Sequence, residues 1–419
     1  MKSFLPLIRE EWRLLLFGFT MTFGSSLGQT YFIGLFSGEI RDEIGLSHGE
    51  FGGIYSAATL ASALLLLKTG SLIDRLDLRQ YAYAVAVGLA LGCLLMAGTN
   101  GVALLFVAIL TLRHLGQGLM SMAGSTTMVR YLDRYRGKAS AISGIGYSLS
   151  EAILPSLVIA LMAILGWRLS WIFWGCALLI AVPLITRFML HEHTERHDKY
   201  LASIGTGQGA SDGVASRQWT RAEVLRDSAF YLFLPALLAQ PLLFTGFMFH
   251  QVHLVEAKAW DLTAWASLYI VYALTSTGCK LIAGVVVDRW GAVRMVPLVC
   301  LPLGFGLLAI AMTDQFTAAI VFMCLMGISV GFYSTVSSPF YADMYGTLHL
   351  GSIKSVTTFT MVFATAVTPV AMGWMIDAGV SINAMALGGL GYTLAASGLA
   401  GVAAFRYIGR THPPFEGKL

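Results

Sequence analysis

The sequence predicts an all-α integral membrane protein: twelve transmembrane helices in two pseudo-symmetric six-helix bundles, with both termini cytoplasmic. Three observations predict it. The 419-residue chain is 56% hydrophobic and only 12% charged, against roughly 25% charged in a soluble domain. Its apolar residues gather into runs near the ~20 residues a helix needs to cross ~30 Å of hydrocarbon. One half of the chain also repeats in the other. Gly70–Gln80, GSLIDRLDLRQ, returns as Gly284–Met295, GVVVDRWGAVRM, and both carry G-x-x-x-D-R. The same offset relates Phe51 to Trp265, Tyr55 to Tyr269, Gly137 to Gly351 and Pro155 to Pro369. One constant spacing without a gap marks two homologous halves.

In order, the runs fall at 13–37, 50–69, 80–99, 101–125, 138–165, 168–188, 229–254, 264–287, 294–312, 316–338, 353–376 and 383–407. The first is too long for a cleaved signal peptide and no A-x-A site follows it. Residues 1–188 form the expected first bundle, 189–228 a cytoplasmic linker and 229–419 the second bundle. The linker opens HEHTERHDKY, a solvated His-rich face, and passes through GTGQGASDG. Thr220 and Glu223 have capping-box spacing, which predicts a short helix at its end.

Lys and Arg set the orientation. Only Arg41, Arg168 and Lys258 fall in loops on one side, and Arg113 and Lys280 fall inside runs. The other 22 of the 27 lie on the opposite side, which is therefore cytoplasmic. The expected location is the cytoplasmic (inner) membrane. The basic residues sit in loops rather than in one patch, so no nucleic-acid partner is expected. All five cysteines fall inside apolar runs, so no disulfide and no metal site are expected. No G-x-x-x-x-G-K-[ST] loop, catalytic triad or dinucleotide pattern stands out, so the chain reads as neither ATP-driven nor an enzyme, with no cofactor. The lipid bilayer is its first partner, and a monomer is expected.

Twelve runs, a 6+6 repeat, a central linker and G-x-x-x-D-R after runs two and eight resemble the major facilitator superfamily over almost the whole chain. The resemblance implies a gate at the cytoplasmic ends made by Gly70, Asp74, Arg75 and Arg79 with Gly284, Asp288 and Arg289. Asp77 stands where the family usually has Gly, whereas the second copy keeps Gly291. A narrower resemblance is to the oxalate/formate antiporter and monocarboxylate transporter branch. It rests on RYRGKASAISGIGYSLSEAILP (Arg134–Pro155), FHQVHLVE (Phe249–Glu256) and YADMYGTLHLGSIK (Tyr341–Lys354). The first stretch carries Ser148 and Glu151 where drug/proton antiporters place small glycines. The branch implies a small carboxylate as substrate, moved by alternating access with proton coupling or by exchange.

The residues themselves point the same way. Ionisable groups within hydrocarbon cost on the order of 2.5–3.5 kcal/mol each, so they ask for a reason. Three lie near mid-depth: Arg113, Glu151 and Lys280. Lys280, in GCKLIAG, stands where the narrower branch usually has Arg, which implies a carboxylate-binding cation. An ammonium is a point charge and lacks the bidentate fork of Arg. Its repeat partner is Leu66, so the charge belongs to one half only. A Lys snorkelling to the cytoplasmic face is the alternative. Arg113 lies in RHLGQG, similar to the superfamily's R-x-x-Q-G but with Gln117 one residue late. It is either an anion-binding and coupling element or the partner of Glu151 in a buried pair. Glu151 is the candidate proton site. Two cations against one anion favour an anionic substrate. The remaining candidate contacts are Gln29, Tyr55, Tyr147, Gln240, Tyr269, Tyr272, Ser276 and Tyr333, with Ser25, Ser26 and Thr59 nearby. Tyr269, Tyr272, Ser276 and Lys280 share one helix face by spacing. Pro241, beside Gln240, marks a candidate hinge, and His250 and His253 lie at the outer end of run seven. An exporter of hydrophobic compounds and a non-transporting receptor remain open alternatives.

Overall fold

A computed structural model describes residues 5–70, 72–132, 136–190, 219–346 and 350–411. Every regular element among them is helical. The chain forms two compact units, Met1–Asp212 and Gly213–Leu419. Ten helices among the described residues are long and apolar enough to cross a membrane. Most of the expected linker, including its His-rich face, lies outside the described residues, as do the side chains of Asp74, Arg75, Arg134 and Asp288.

In the first unit the leading helix is not continuous, unlike the single run the sequence suggests. Helix α1 (Leu5–Gly24) ends in a 3-10 turn, Ser25–Gly28, and Gln29 is extended at φ −82, ψ 152 before α2 (Thr30–Leu35) resumes. Then come α3 (Ser37–Ile44), α4 (His48–Thr69), α5 (Leu72–Arg75), α6 (Leu78–Ala97) and α7 (Val102–Leu112). A π-helical segment, Arg113–Met120, joins α7 to α8 (Ser121–Tyr131). Helix α9 (Arg136–Met189) is interrupted at Gly166, whose φ of 75° is open to glycine. Helix α1 packs on α8 and α9, α4 on α7 and the π segment, and α6 on α9.

The second unit opens with the expected capping box. The Thr220 hydroxyl accepts from the Glu223 backbone and the Glu223 carboxylate from the Thr220 N–H, starting α10 (Arg221–Val224). Trp219 N–H donates to Tyr345 O at 3.0 Å, which fastens this turn to the unit. The long helices are α11 (Ser228–Phe249), α12 (Gln251–Ala257), α13 (Leu262–Ser267), α14 (Tyr269–Trp290), α15 (Ala292–Val299), α16 (Leu301–Met312), α17 (Phe316–Tyr345), α18 (Leu350–Asp377) and α19 (Ile382–Thr411), with α12 and α13 short connectors. Helix α14 lies against α17, and α11 against α18 and α19. Helix α11 runs through Pro235 and Pro241 without a break, so the expected hinge at Pro241 does not interrupt it.

The few basic residues expected outside are put to structural use. Arg168 donates to Ala97 O (2.5 Å), Thr99 O (2.6 Å) and Glu43 (2.7 Å), and Trp167 Nε1 adds a bond to Glu43 at 2.7 Å. Lys258 donates to Ile310 O (2.6 Å), Thr313 O (3.3 Å) and Asp314 Oδ1 (2.5 Å). Each cation meets carbonyls at a helix C-terminus, where the macrodipole is negative. The Arg168 guanidinium, aided by the Trp167 indole, holds the Glu43 carboxyl below the usual carboxylate range.

Candidate functional site

The break in the first helix and the π segment meet backbone to backbone. A Cβ on Gly28 would lie 2.2 Å from Leu112 O, and one on Gly116 would lie 2.9 Å from Gly28 Cα. Only hydrogen fits at either position. The π turn also accounts for Gln117. A π-helical turn holds one residue more than an α turn, so R-x-x-x-Q-G carries the extra residue without disturbing the helix on either side.

Arg113 starts this π segment and is 3% exposed. Because the helix is broken at Gly28, that carbonyl is open, and Arg113 Nη1 donates to it at 3.0 Å. Nη1 also reaches Thr30 Oγ1 at 3.5 Å, and Thr30 Oγ1 and Tyr55 Oη are 2.7 Å apart. The guanidinium carbon stands 5.2 Å from the centre of the Tyr55 ring, an arrangement worth up to ~2 kcal/mol when desolvated. Arg113 Nε is buried with no hydrogen-bond partner, as are the hydroxyls of Ser56 and Thr59 on α4. Among the described residues no pairing of Arg113 with Glu151, which the sequence left open, is seen; Arg113 meets a carbonyl, a hydroxyl and an aromatic face. A buried charge without a countercharge is costly, and among the described residues none stands against Arg113.

Glu151 lies on α9, half-buried, as the charged neighbour of Tyr31 and Tyr147. The Tyr147 hydroxyl bonds to Ser121. Ser25 and Ser26 serve packing: Ser25 donates to Thr22 O at 2.7 Å, and Ser26 bonds to Ser150 at 2.5 Å. Gln29 is the half-buried residue at the helix break itself.

In the second unit the predicted face of α14 is present in part. Tyr269, Tyr272 and Ser276 are buried, and Lys280 is half-buried. The Tyr269 hydroxyl donates to Gln251 Oε1 at 2.9 Å, and Trp265 Nε1 shares that acceptor at 3.0 Å. Among the described residues no hydrogen bond or ion pair holds the Lys280 ammonium. Gly327 and Gly331 of α17 let that helix approach α14 closely: a Cβ on Gly331 would lie 2.7 Å from Ser276 O and 3.2 Å from Lys280 N. Gln240 is 6% exposed. His250 is buried and bonded to Pro369 O at 2.8 Å, a tie between α11 and α18. Tyr333 lines a cavity of this unit, apart from the α14 face.

Of the expected gate, Arg79 Nε donates to Leu190 O at 2.6 Å and Arg289 is exposed. Gly70 caps α4 and Gly284 is inside α14. Sequence reading passed over Gly28, Thr30 and Gly116. Two signals could have found them: small residues clustered mid-run in SSLGQT, and the one-residue insertion in RHLGQG.

The profile of the Major Facilitator Superfamily matches residues 18–369. A curated relative, the uncharacterized MFS-type transporter YhjX of Escherichia coli (strain K12), is 20% identical over 337 residues, covering 78% of this chain and 81% of YhjX. Among solved structures, a bacterial homolog of the human lysosomal transporter Spinster is similar with a TM-score of 0.69 and 12% identity, over 96% of this chain and 98% of that one. The nucleoside transporter NupG is similar with a TM-score of 0.67 and 14% identity, over 96% and 98%. At these identities the likeness to the solved structures is one of fold.

Proposed function

The chain belongs to the major facilitator superfamily, and from that premise we propose that it is a secondary transporter of a small organic anion, a monocarboxylate or dicarboxylate, in the cytoplasmic membrane. Membership makes it a multi-pass membrane transporter rather than an enzyme. The ten long helices rise to twelve spans when the two sides of Gly166 are counted separately and the broken first helix is added, and an even number keeps both termini on the Lys- and Arg-rich side.

One observation carries the anion reading: Arg113, 3% exposed, has no carboxylate among its partners in the described residues. A substrate carboxylate would supply the missing countercharge, and the partnerless Nε with the Ser56 and Thr59 hydroxyls offers it donors. Lys280 is a second cation of this kind, one in each unit. Glu151, beside Tyr31 and Tyr147, is the proposed proton site. Tyr55 and Thr30 position the Arg113 guanidinium, and Gln29, Tyr147, Gln240, Tyr272 and Ser276 supply polar walls. The cycle is alternating access, by proton coupling or by exchange, in a monomer, with the basic loops that carry Arg79 and Arg289 as gate. The broken helix supports this assignment, since discontinuous helices build the sites of many secondary transporters.

The test is uptake of labelled small carboxylates into proteoliposomes, with and without an inward proton gradient. Wild type accumulates the acid when the gradient is applied. Arg113→Leu and Lys280→Ala abolish accumulation, and Glu151→Gln leaves exchange without coupling. Active vesicles that take up no carboxylate, yet move apolar compounds or nucleosides, would overturn the anion reading. Saturable binding without flux would support a receptor instead.

A further inference from the structure

At the end of the second unit where α11 begins and α17 and α19 finish, these helices and Trp219 line a cavity of about 210 Å³. We propose that it is a site for the phosphoethanolamine group of a membrane phospholipid, with the ammonium on Asp227 and the phosphate on Arg406. The proposal is independent of the anion reading above, and its test needs no transport.

Two opposite charges line this cavity without an ion pair between them. The Asp227 carboxylate accepts from the Ala229 N–H at 3.1 Å and from the Tyr345 hydroxyl at 3.2 Å. Among the described residues it meets no cation, and Arg406, exposed on the same lining, meets no carboxylate. Charges of both signs in one small cavity, each lacking its counterpart, suit a zwitterion better than a simple anion or an apolar compound. A carboxylate has about four acceptor sites, so Asp227 keeps room for the N–H groups of a primary ammonium. A trimethylammonium has no N–H to give. The aromatic walls, Trp219, Tyr345 and Tyr407, suit an organic cation. Arg406 brings a planar fork that matches phosphate. Ser228, in the first turn of α11, adds a hydroxyl to the lining.

Size and depth favour a lipid headgroup. The volume holds roughly seven waters at ~30 Å³ each, enough for the headgroup and too little for acyl chains. Helices α11, α17 and α19 are each long and apolar enough to cross a membrane, so their ends lie at headgroup level. Beside Leu232, Ala403 and Arg406 in the chain stand Tyr231, Val402 and Phe405, exposed at 51%, 48% and 81%. They give acyl chains an apolar surface on α11 and α19. The walls are also set in place. The Trp219 N–H bond to Tyr345 O is joined by an edge contact of the two rings, 5.6 Å between centres, and the Tyr407 hydroxyl donates to Asp343 O at 3.3 Å. A site formed in advance loses less on binding.

The experiment titrates single phospholipids into the full chain in detergent and reads the Kd of the first bound lipid by native mass spectrometry. Wild type is expected to bind phosphatidylethanolamine about tenfold or more tightly than phosphatidylcholine, with mono- and dimethylated headgroups in between. Asp227→Asn keeps a good N-cap and is expected to erase that preference. Arg406→Gln is expected to weaken phosphatidylethanolamine about tenfold, and Arg406→Lys to recover part of the loss. Should Asp227→Asn fail to fold, the Arg406 pair and the methylation series decide the matter. Equal affinity of wild type for the two lipids, or a preference unchanged in both Asp227→Asn and Arg406→Gln, would overturn the site. Tighter binding of phosphatidylglycerol than of phosphatidylethanolamine would reduce Arg406 to a contact with anionic lipid and overturn it too. Displacement of the lipid by soluble phosphoethanolamine at a comparable concentration would overturn the lipid as the source of the group.

Discussion

Asp77 and Gly291 stand at the same place in the two repeats and start equivalent helices by different means. Gly291 takes φ 78, ψ 149, in the region that favours glycine, and Asp343 Oδ2 accepts from the first helical N–H, Ala292, at 3.3 Å. Asp77 keeps an ordinary φ of −56 and caps its own helix, its carboxylate accepting from Arg79 N–H at 2.8 Å. The departure from the family's loop pattern at Asp77 is thus one local solution exchanged for another. Where the local problem is shared, the halves diverge harmlessly. The same holds for Thr99 and Thr313, repeat partners whose carbonyls are both held by a cation, Arg168 in one half and Lys258 in the other.

The divergence is of another kind at Arg113. Its repeat partner is Gly327, which lets two helices touch, whereas Arg113 donates to the Gly28 carbonyl at a helix break. Lys280 likewise has Leu66 as its repeat partner. A charge present in one half only is not demanded by the shared fold; Arg168 and Lys258 show that it can serve one half's own packing, so the roles proposed for Arg113 and Lys280 rest on their depth in the membrane rather than on the asymmetry.

The sharpest way to break the comparison is at the backbone crossing. Gly116→Leu has no room, since the nearest atoms are the Gly28 main chain at 2.9 Å. It is expected to cost more than the ~1–3 kcal/mol of ordinary overpacking, and to leave no monodisperse protein in detergent chromatography. Val330→Leu, at the equivalent position, already has a side chain and should stay within ~1 kcal/mol. A folded Gly116→Leu would mean the two chains can separate there.

Next in size is Arg113→Leu. It leaves Gly28 O without its donor, which costs about 1–3 kcal/mol, and removes the cation. Uptake should fall by about a hundredfold or more, a greater loss than the drop in melting temperature explains. Arg113→Lys keeps charge but not the fork, so it should recover stability better than transport.

The two loops can be interchanged at smaller cost. Gly291→Ala forces a Cβ into the positive-φ region, for about 1–2 kcal/mol. Asp77→Gly, which copies the other half's residue, should cost only a few tenths. Thermal unfolding followed by tryptophan fluorescence ranks the pair, and equal losses would refute the account of the capping difference.

The smallest effect concerns pH. Glu43 has its folded pKa lowered, so its contribution is complete above the ordinary carboxylate range and is lost as pH falls through the lowered value. Wild type and Glu43→Gln should differ slightly in melting temperature at neutral pH and converge in acid.

Much of this was legible in the chain. Apolar run length marks the spans, because lipid leaves a backbone few alternatives to the helix. The offset between Gly70 and Gly284 marks the repeat, and the Thr220–Glu223 spacing marks a capping box that is present. Arg113, Glu151 and Lys280 stood out because charge in hydrocarbon is rare. What lies across from each of them was not legible. Hydropathy averages over a window, so it ran smoothly through SSLGQT and missed a break that depends on one glycine meeting another on a different helix. Tyr333 was visible as one aromatic residue among many, but the cavity it lines exists only where α11, α17 and α18 come together. The sequence by itself determined the membrane, the helices, the repeat and which ionisable residues are out of place, since these follow from transfer energies and local spacing. Only the tertiary structure decided that Arg113 meets a carbonyl and an aromatic ring instead of Glu151, because contacts between distant segments depend on how helices pack, which no local pattern encodes.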